Sequence, residues 1–264
     1  MKMRSVGRTR TTTQRKSDIS KRLKRFIATD TPAMRELRKQ ILNPLEEVGE
    51  VAIIGGLVRD IIRYGVDKRP ISDMDLVIQG SPSAVAAVAK KLSAKENRFG
   101  GFGLKTDHYK VDFWALSTTW ARTHANVPVS SIKDLPNSTF FNWDAVVYST
   151  KDSKTYFKEN YLEDIARGFL EVNVAETASH QGNLIRALRR LFAWEAYPGP
   201  KLIQFLKSAA PQYEWDDLVR QEKAAFYTTY LDHFSGYNEY FRRLEDSSSR
   251  FLPVQLSLFA DERY

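Results

Sequence analysis

The sequence has no cysteine, which excludes disulfides and thiolate metal centres and suits a reducing compartment. Histidine is scarce as well. His108, His124, His180 and His233 show no metal-ligand spacing and read as ordinary surface or core residues. No apolar run approaches the length of a membrane span, so no membrane association is expected. No apolar stretch lies near the start, so no secretory signal is expected, and the reading is a cytoplasmic protein. Internal repeats are absent. Acid is almost missing from the first segment: Lys2, Arg4, Arg8, Arg10, Arg15, Lys16, Lys21, Arg22, Lys24 and Arg25 crowd it with Asp18 as the one carboxylate.

What is present suffices for a folded protein. The 264 residues, 42% hydrophobic and 12% aromatic, can build one large domain or two small ones with a real core. The net charge of +8 favours a polyanionic partner. The basic segment 1–30 is too polar to pack and is expected to be a mobile arm, either neutralising nucleic-acid phosphates or simply solvated. Its Arg, Ser and Thr content also resembles a transit peptide.

Periodicity places the elements. Thr31-Pro32 reads as a helix start, with apolar Leu37, Ile41 and Leu45 following and an end near Gly49. Val51 to Ile54 reads as a strand, Leu57 to Tyr64 as a helix stopped by Gly65, and Asp75 to Ile78 as a second strand. Ser81-Pro82 opens an alanine-rich helix, residues 98–103 form a flexible aromatic-glycine loop, and Tyr109 to Leu116 alternates as a strand. Phe140 to Ser149 is a further strand. From Glu163 onward the pattern turns helical, with Leu184, Leu188, Leu191 and Phe192 on one face and later helices about Leu202–Leu206 and Leu218–Leu231. A strand-rich half followed by a helical half is an α+β protein: a small mixed sheet flanked by helices, then a helical appendage. The expected division is an arm over 1–30, a head over 31–170, a helical neck over 171–250 and a flexible tail over 251–264.

The chemistry gathers at Gly55-Gly56-Leu57-Val58-Arg59-Asp60 and at Asp73-Met74-Asp75. Residues i and i+2 of a strand share a face, so Asp73 and Asp75 project side by side. Two like charges that close are costly unless a cation lies between them, and a magnesium ion that also carries substrate phosphates is the usual reason to build such a pair. Gly55 and Gly56 suit a turn whose backbone N–H groups approach a triphosphate. Arg59 would then meet phosphate oxygens or brace the turn through a carboxylate.

Taken together, the glycine turn with Arg59-Asp60, the Arg69-Pro70 lead-in and the Asp-x-Asp pair resemble the nucleotidyltransferase superfamily, in particular the polymerase beta-like head of poly(A) polymerases and CCA-adding enzymes. The resemblance covers roughly Val51 to Trp194. It implies a third carboxylate on a neighbouring strand, and Asp112 in Tyr109-Lys110-Val111-Asp112-Phe113-Trp114 takes that place. Asp73, Asp75 and Asp112 would hold magnesium, and a nucleoside monophosphate would move from a triphosphate to a hydroxyl, with a nucleic-acid end as the acceptor. Other acceptors remain open, a protein or small molecule among them, as does a non-catalytic nucleotide-binding module.

The departures from the family are specific. Its Arg-Arg-Asp-Phe-Thr-x-Asn-Ala segment corresponds best to Ser138–Ala145, where Phe141 and Ala145 fit but the arginines and the first aspartate are gone. Its base-selecting Glu-Asp-x-x-Arg would fall on Ser179-His180-Gln181-Gly182-Asn183, which has none of those key residues, so standard CCA addition is not expected. Leu184 to Arg190 looks like the family's neck helix. Arg186 and Arg189, with Arg190, share one face of it and either meet phosphates or form a solvated side. Gln255-Leu256-Ser257-Leu258-Phe259 resembles the short peptide by which bacterial replication and repair proteins dock on the DNA sliding clamp, with Gln255 as a polar hook and Leu258 and Phe259 as apolar anchors.

Overall fold

The computed structural model describes residues 16–65 and 73–247. The chain forms two compact units. A sheet unit holds the described residues through Glu163 together with Asn173–Ala178, and a helical unit holds Asp164–Val172 and the described residues from Ser179 onward. Arg69-Pro70 and the clamp-like peptide with Gln255, Leu256, Leu258 and Phe259 lie outside the described residues. Among the described residues, no helix is long and apolar enough to cross a membrane.

The sheet unit opens with a helix where the composition suggests a mobile arm. Helix α1 spans Lys16–Ala28 and buries Ile19, Leu23 and Phe26. Those three residues recur at i, i+4 and i+7, enough for a narrow apolar stripe beneath a strongly basic sequence. Helix α2, Pro32–Glu36, is capped by Thr31, whose side chain accepts from the Met34 N–H. The backbone then turns π-helical over Leu37–Leu42 before the short α3, Asn43–Glu46. Pro44 has no N–H to offer the preceding turn, and the wider turn accommodates it.

Strand β1 (Glu50–Ile54) leads into helix α4 (Gly56–Tyr64), then β2 (Asp73–Gln79) and helix α5 (Pro82–Lys91). Strands β3 (Lys95–Glu96), β4 (Phe102–Lys105) and β5 (Lys110–Ala115) follow, then the short α6 (Trp120–Thr123), β6 (Val146–Ser149) and β7 (Lys154–Phe157). They form one seven-stranded sheet in the order β3-β4-β5-β2-β1-β6-β7. Its pairs are antiparallel except β2 with β5, which run parallel. This is the mixed sheet of an α+β fold, as the sequence pattern implies.

The two faces of the sheet differ. One carries Val51, Ile53, Met74, Leu76, Ile78, Val111 and Phe113, all buried. On the other, Ala52, Val77 and Val147 pack under Leu116 from the turn after β5 and under Val129, Ile132 and Leu135 from the irregular stretch between α6 and β6. That cover meets the middle of the sheet. The end where β2 and β5 begin carries carboxylates instead, and there the alternation of each strand sends polar residues outward.

Two expectations are corrected here. Residues 98–103 are not one loose loop, because Phe102 onward is strand β4. The strand expected from Phe140 starts only at Val146, because Asn142–Asp144 form a 3-10 turn.

In the helical unit, α7 (Tyr161–Arg167) enters from the sheet unit, and β8 (Phe169–Leu170) pairs in parallel with β9 (Tyr197–Pro198). Between those strands lies α8 (His180–Ala193), and after them come α9 (Pro200–Ala209), α10 (Trp215–Ala225) and α11 (Tyr237–Ser247). Helix α10 stops short of the expected Leu231. Trp215, Phe234 and Tyr240 build an aromatic core in this unit, and the Tyr240 hydroxyl donates to the Leu188 carbonyl at 2.6 Å.

Candidate active site

The sheet brings the three candidate aspartates to one end and one face. In β2, Asp73 is exposed and Asp75 half-buried, with buried Met74 between them on the opposite face. The parallel register sets Asp112 of β5 directly beside Asp75, and Lys110 beside Asp73. On the other side of β2, Asp75 stands opposite Ile54, the last residue of β1. The glycine turn that follows Ile54 therefore begins one residue from the carboxylate row.

That turn needs glycine. Gly55 has φ +65 and ψ −121, a conformation that side-chain-bearing residues avoid. Its N–H donates to the Val146 carbonyl at 3.1 Å, and its carbonyl accepts from the Arg59 N–H at 3.0 Å, which starts α4. Gly56 opens the helix, so the first-turn N–H groups, which have no intrahelical carbonyl, lie at the turn.

Arg59 does not reach outward to a phosphate. It is buried, its Nε donates to Asp60 at 2.8 Å, and its guanidinium pairs with Asp144. Burial alone would lower its pKa, but Asp60 and Asp144 outweigh that and hold it above the ordinary value. Of the two roles open to Arg59, these contacts fit the brace. Asp144 comes from the 3-10 turn before β6, which explains why that segment is not strand. Tyr161 completes the same region: its hydroxyl donates to the Trp143 carbonyl at 3.0 Å, and burial, opposed in part by Arg59, raises its pKa far above the normal range.

Asp112 has its own supports. Its carboxylate lies 3.6 Å from Lys110 Nζ and 3.5 Å from Asn97 Nδ2. The Asn97 side-chain oxygen accepts from the N–H groups of Phe99 and Gly101, fixing the turn into β4. Across from Asp112 stands Gly103, where a Cβ would come within 2.7 Å of the Asp112 oxygen. The glycine leaves the carboxylate its space. The periodicity of β5 pointed to Asp112, but nothing in the sequence marked Asn97 or Gly103 as its neighbours.

The donor set suits a hard cation in chemistry and in backbone register. The side-chain atoms are not closed around a point: among the described residues, no three His, Cys, Asp or Glu side chains converge as a metal site would require. Neighbouring carboxylates repel, and Asp112 turns to Lys110 and Asn97.

Arg186 and Arg189 belong to the helical unit and are committed within it. Arg186, exposed, donates to Asn183 Oδ1 at 3.0 Å. Arg189 pairs with the fully buried Glu222, donates to the Thr228 carbonyl at 2.7 Å and stacks over Phe226 at 4.0 Å. Glu222 also accepts from the Leu231 N–H at 2.8 Å and the Tyr230 N–H at 3.1 Å. Arg189 thus ties α8 to the loop that follows α10. At the expected base-selecting segment, the Ser179 side chain accepts from the Gly182 N–H at 3.2 Å and caps α8.

No family model and no curated protein matches the sequence. Solved structures do. The chain is similar to a CCA-adding enzyme in complex with CTP, at 19% identity over 86% of this chain and 54% of that one, with a TM-score of 0.57. An apo form of a CCA-adding enzyme matches at 19% identity, 88% and 54% coverage, and a TM-score of 0.56. The Thermotoga maritima CCA-adding enzyme complexed with tRNA matches at 18% identity, 91% and 56% coverage, and a TM-score of 0.55. The fold is the one that these CCA-adding enzyme structures share. The chain spans about half the length of these nucleotidyltransferase structures.

Proposed function

We propose that the chain is a metal-dependent nucleotidyltransferase that moves a nucleoside monophosphate from a nucleoside triphosphate to a hydroxyl at an RNA end. The observation that carries this is the register of β2 and β5, which lines Asp75 up with Asp112 and leaves Asp73 two residues away, beside the Gly55 turn. A row of carboxylates next to a glycine-lined helix start serves both halves of a metal-nucleotide complex.

Asp73, Asp75 and Asp112 would hold magnesium, which when bound neutralises phosphate charge and makes the acceptor hydroxyl easier to deprotonate. The chain's own residues do the rest. The backbone at Gly55 and Gly56 admits phosphate oxygens without a side chain in the way. Arg59, Asp60 and Asp144 keep that turn in place. Asn97 and Gly103 set where the Asp112 carboxylate can point. The new bond joins the acceptor oxygen to the α-phosphorus, the bond to the β-phosphate oxygen breaks, pyrophosphate leaves and the hydroxyl proton passes to solvent.

The net charge of +8 supports a polyanionic acceptor. The missing Glu-Asp-x-x-Arg pattern argues against standard CCA addition. Two finer readings belong here as well: a cytoplasmic setting, which the lack of cysteine suits, and docking of Gln255–Phe259 on a DNA sliding clamp, tested by titration with purified clamp.

The deciding assay offers each labelled triphosphate, with magnesium or with EDTA, to RNA, DNA and protein acceptors. Label on RNA that disappears in EDTA is the expected result. Label on protein alone would move the acceptor to a polypeptide, and no transfer to any acceptor would defeat the proposal.

A further inference from the structure

Helix α1 has two very different sides. Ile19, Leu23 and Phe26 are buried, and Ser20 locks the helix to β7: its hydroxyl donates to Thr155 Oγ1 and accepts from the Thr155 N–H, both at 3.0 Å. Arg22 donates to the Ile61 carbonyl at 3.4 Å, tying α1 to α4 as well. One flank of the helix lines a groove of about 540 Å³ with Asp18, Lys21, Arg22, Arg25 and Thr29, beside the buried Phe26. These positions follow one another at helical spacing. The groove runs about 16 Å along the helix, at 1.5 Å per residue.

The cations of this face differ in state from the arginines that brace the fold. Arg35, Arg59, Arg189, Arg220 and Arg243 each pair with a carboxylate. Among the described residues, Lys21, Lys24 and Arg25 have no carboxylate within ion-pairing distance, although they sit on an anchored helix. Four cations, Lys21, Arg22, Lys24 and Arg25, against the single carboxylate of Asp18 form an electropositive track, and its complement is a chain of regularly spaced anions.

We infer that this face of α1 is a docking surface for the phosphodiester backbone of RNA. Lys21, Arg22 and Arg25 neutralise successive phosphates, while Lys24 adds to the field from the helix flank. The choice of RNA as the polyanion rests on the proposed function; the basic track itself does not. The helix carries the cations on a fixed frame, so less freedom is lost on binding than with a mobile arm. The track reads no base, because phosphate contacts position a strand without specifying sequence.

The test is RNA binding by the full-length protein in EDTA without triphosphate, so that the nucleotide site takes no part. The probe is a fluorescent single-stranded RNA of mixed sequence, followed by anisotropy across a salt series. Each phosphate contact on a single strand contributes about 0.7 to the slope of log affinity against log salt. Lys21→Gln, Arg22→Gln and Arg25→Gln combined should lower the slope by about 2 and weaken binding roughly tenfold or more. The apolar side of α1 is untouched, and an unchanged thermal midpoint checks that the variant is folded. Lys90→Gln, Lys91→Gln and Lys95→Gln combined, on exposed positions of α5 and β3, is the charge-matched control and should leave the slope in place.

An unchanged slope in the triple variant, or an equal loss in the control, overturns the inference. So does a DNA strand of the same sequence that binds more tightly and is weakened as much. Transfer activity is read separately. A protein that transfers nothing but binds RNA through α1 keeps this inference and loses the proposed function, and the reverse result does the opposite.

Discussion

Three single residues separate chemistry from folding. Asp73→Asn, Asp75→Asn and Asp112→Asn should each lower transfer by roughly 100-fold or more, because each removes charge from where the phosphates must be neutralised. Stability should hold or rise slightly, since one repelling carboxylate is gone. A labelled-triphosphate assay alongside thermal unfolding checks both halves. Gly103→Ala is the sharper variant. Its Cβ would lie 2.7 Å from an Asp112 oxygen, the mobile end of a side chain, so the carboxylate moves and the backbone need not. Activity should drop while the unfolding midpoint stays near that of the wild type. Arg59→Met should do the converse in part, costing about 2 kcal/mol by leaving two half-buried carboxylates without their cation; chemical denaturation measures it. The aspartates were legible because strand alternation converts spacing into direction. Arg59 was legible only as a choice between two roles, because its partner Asp144 lies 85 residues away and no local pattern joins them.

Among the elements, those with a full apolar period were readable and those held by a distant partner were not. Strands β1, β2 and β5 carry apolar runs or strict alternation, and Thr31 and Ser81 announce their helices as N-caps. Helix α1 hid its three apolar residues among five cations. Strands β7, β8 and β9 are too short to show a period, and α10 ends at Ala225 because buried Glu222 binds the Tyr230–Leu231 backbone instead of a further helical turn. Helix α11 shows what such a contact does with pH. The Glu239 carboxylate accepts from the Ser235 N–H and hydroxyl, each at 2.8 Å, which with Arg243 holds its pKa down at about 2. A depressed carboxylate stabilises the fold above its unfolded value of 4.5 and loses that contribution as pH falls toward 2. Acid should therefore loosen the start of α11, seen as faster amide exchange around Ser235, and Glu239→Gln should remove that pH dependence. Exchange that does not change from pH 5 to about 2.5 would contradict it.

For the molecule as a whole, the division of labour decides what selectivity to expect. Every residue proposed to hold metal or phosphates lies in the sheet unit: Gly55, Gly56, Asp73, Asp75 and Asp112. The helical unit holds the segment where the family's base-selecting residues would fall, and there the polar groups serve the helix itself. Ser179 caps α8, and Asn183 accepts from Arg186. Discrimination between bases is strong where a buried polar group would be left unpaired by the wrong partner, and weak where no such group is provided. A carboxylate and a guanidinium could pair with a base edge, but this segment has neither. The enzyme should therefore accept all four ribonucleoside triphosphates with kcat/KM values within about tenfold of one another, since a difference of 1.4 kcal/mol is all that shape and stacking need supply. Competition between pairs of labelled triphosphates on one RNA acceptor measures this directly. A preference above about 1000-fold for a single base would require a reader elsewhere in the chain and would defeat the prediction. If CTP and ATP alone were used in sequence, the loss of standard CCA addition inferred from Ser179–Asn183 would be wrong as well.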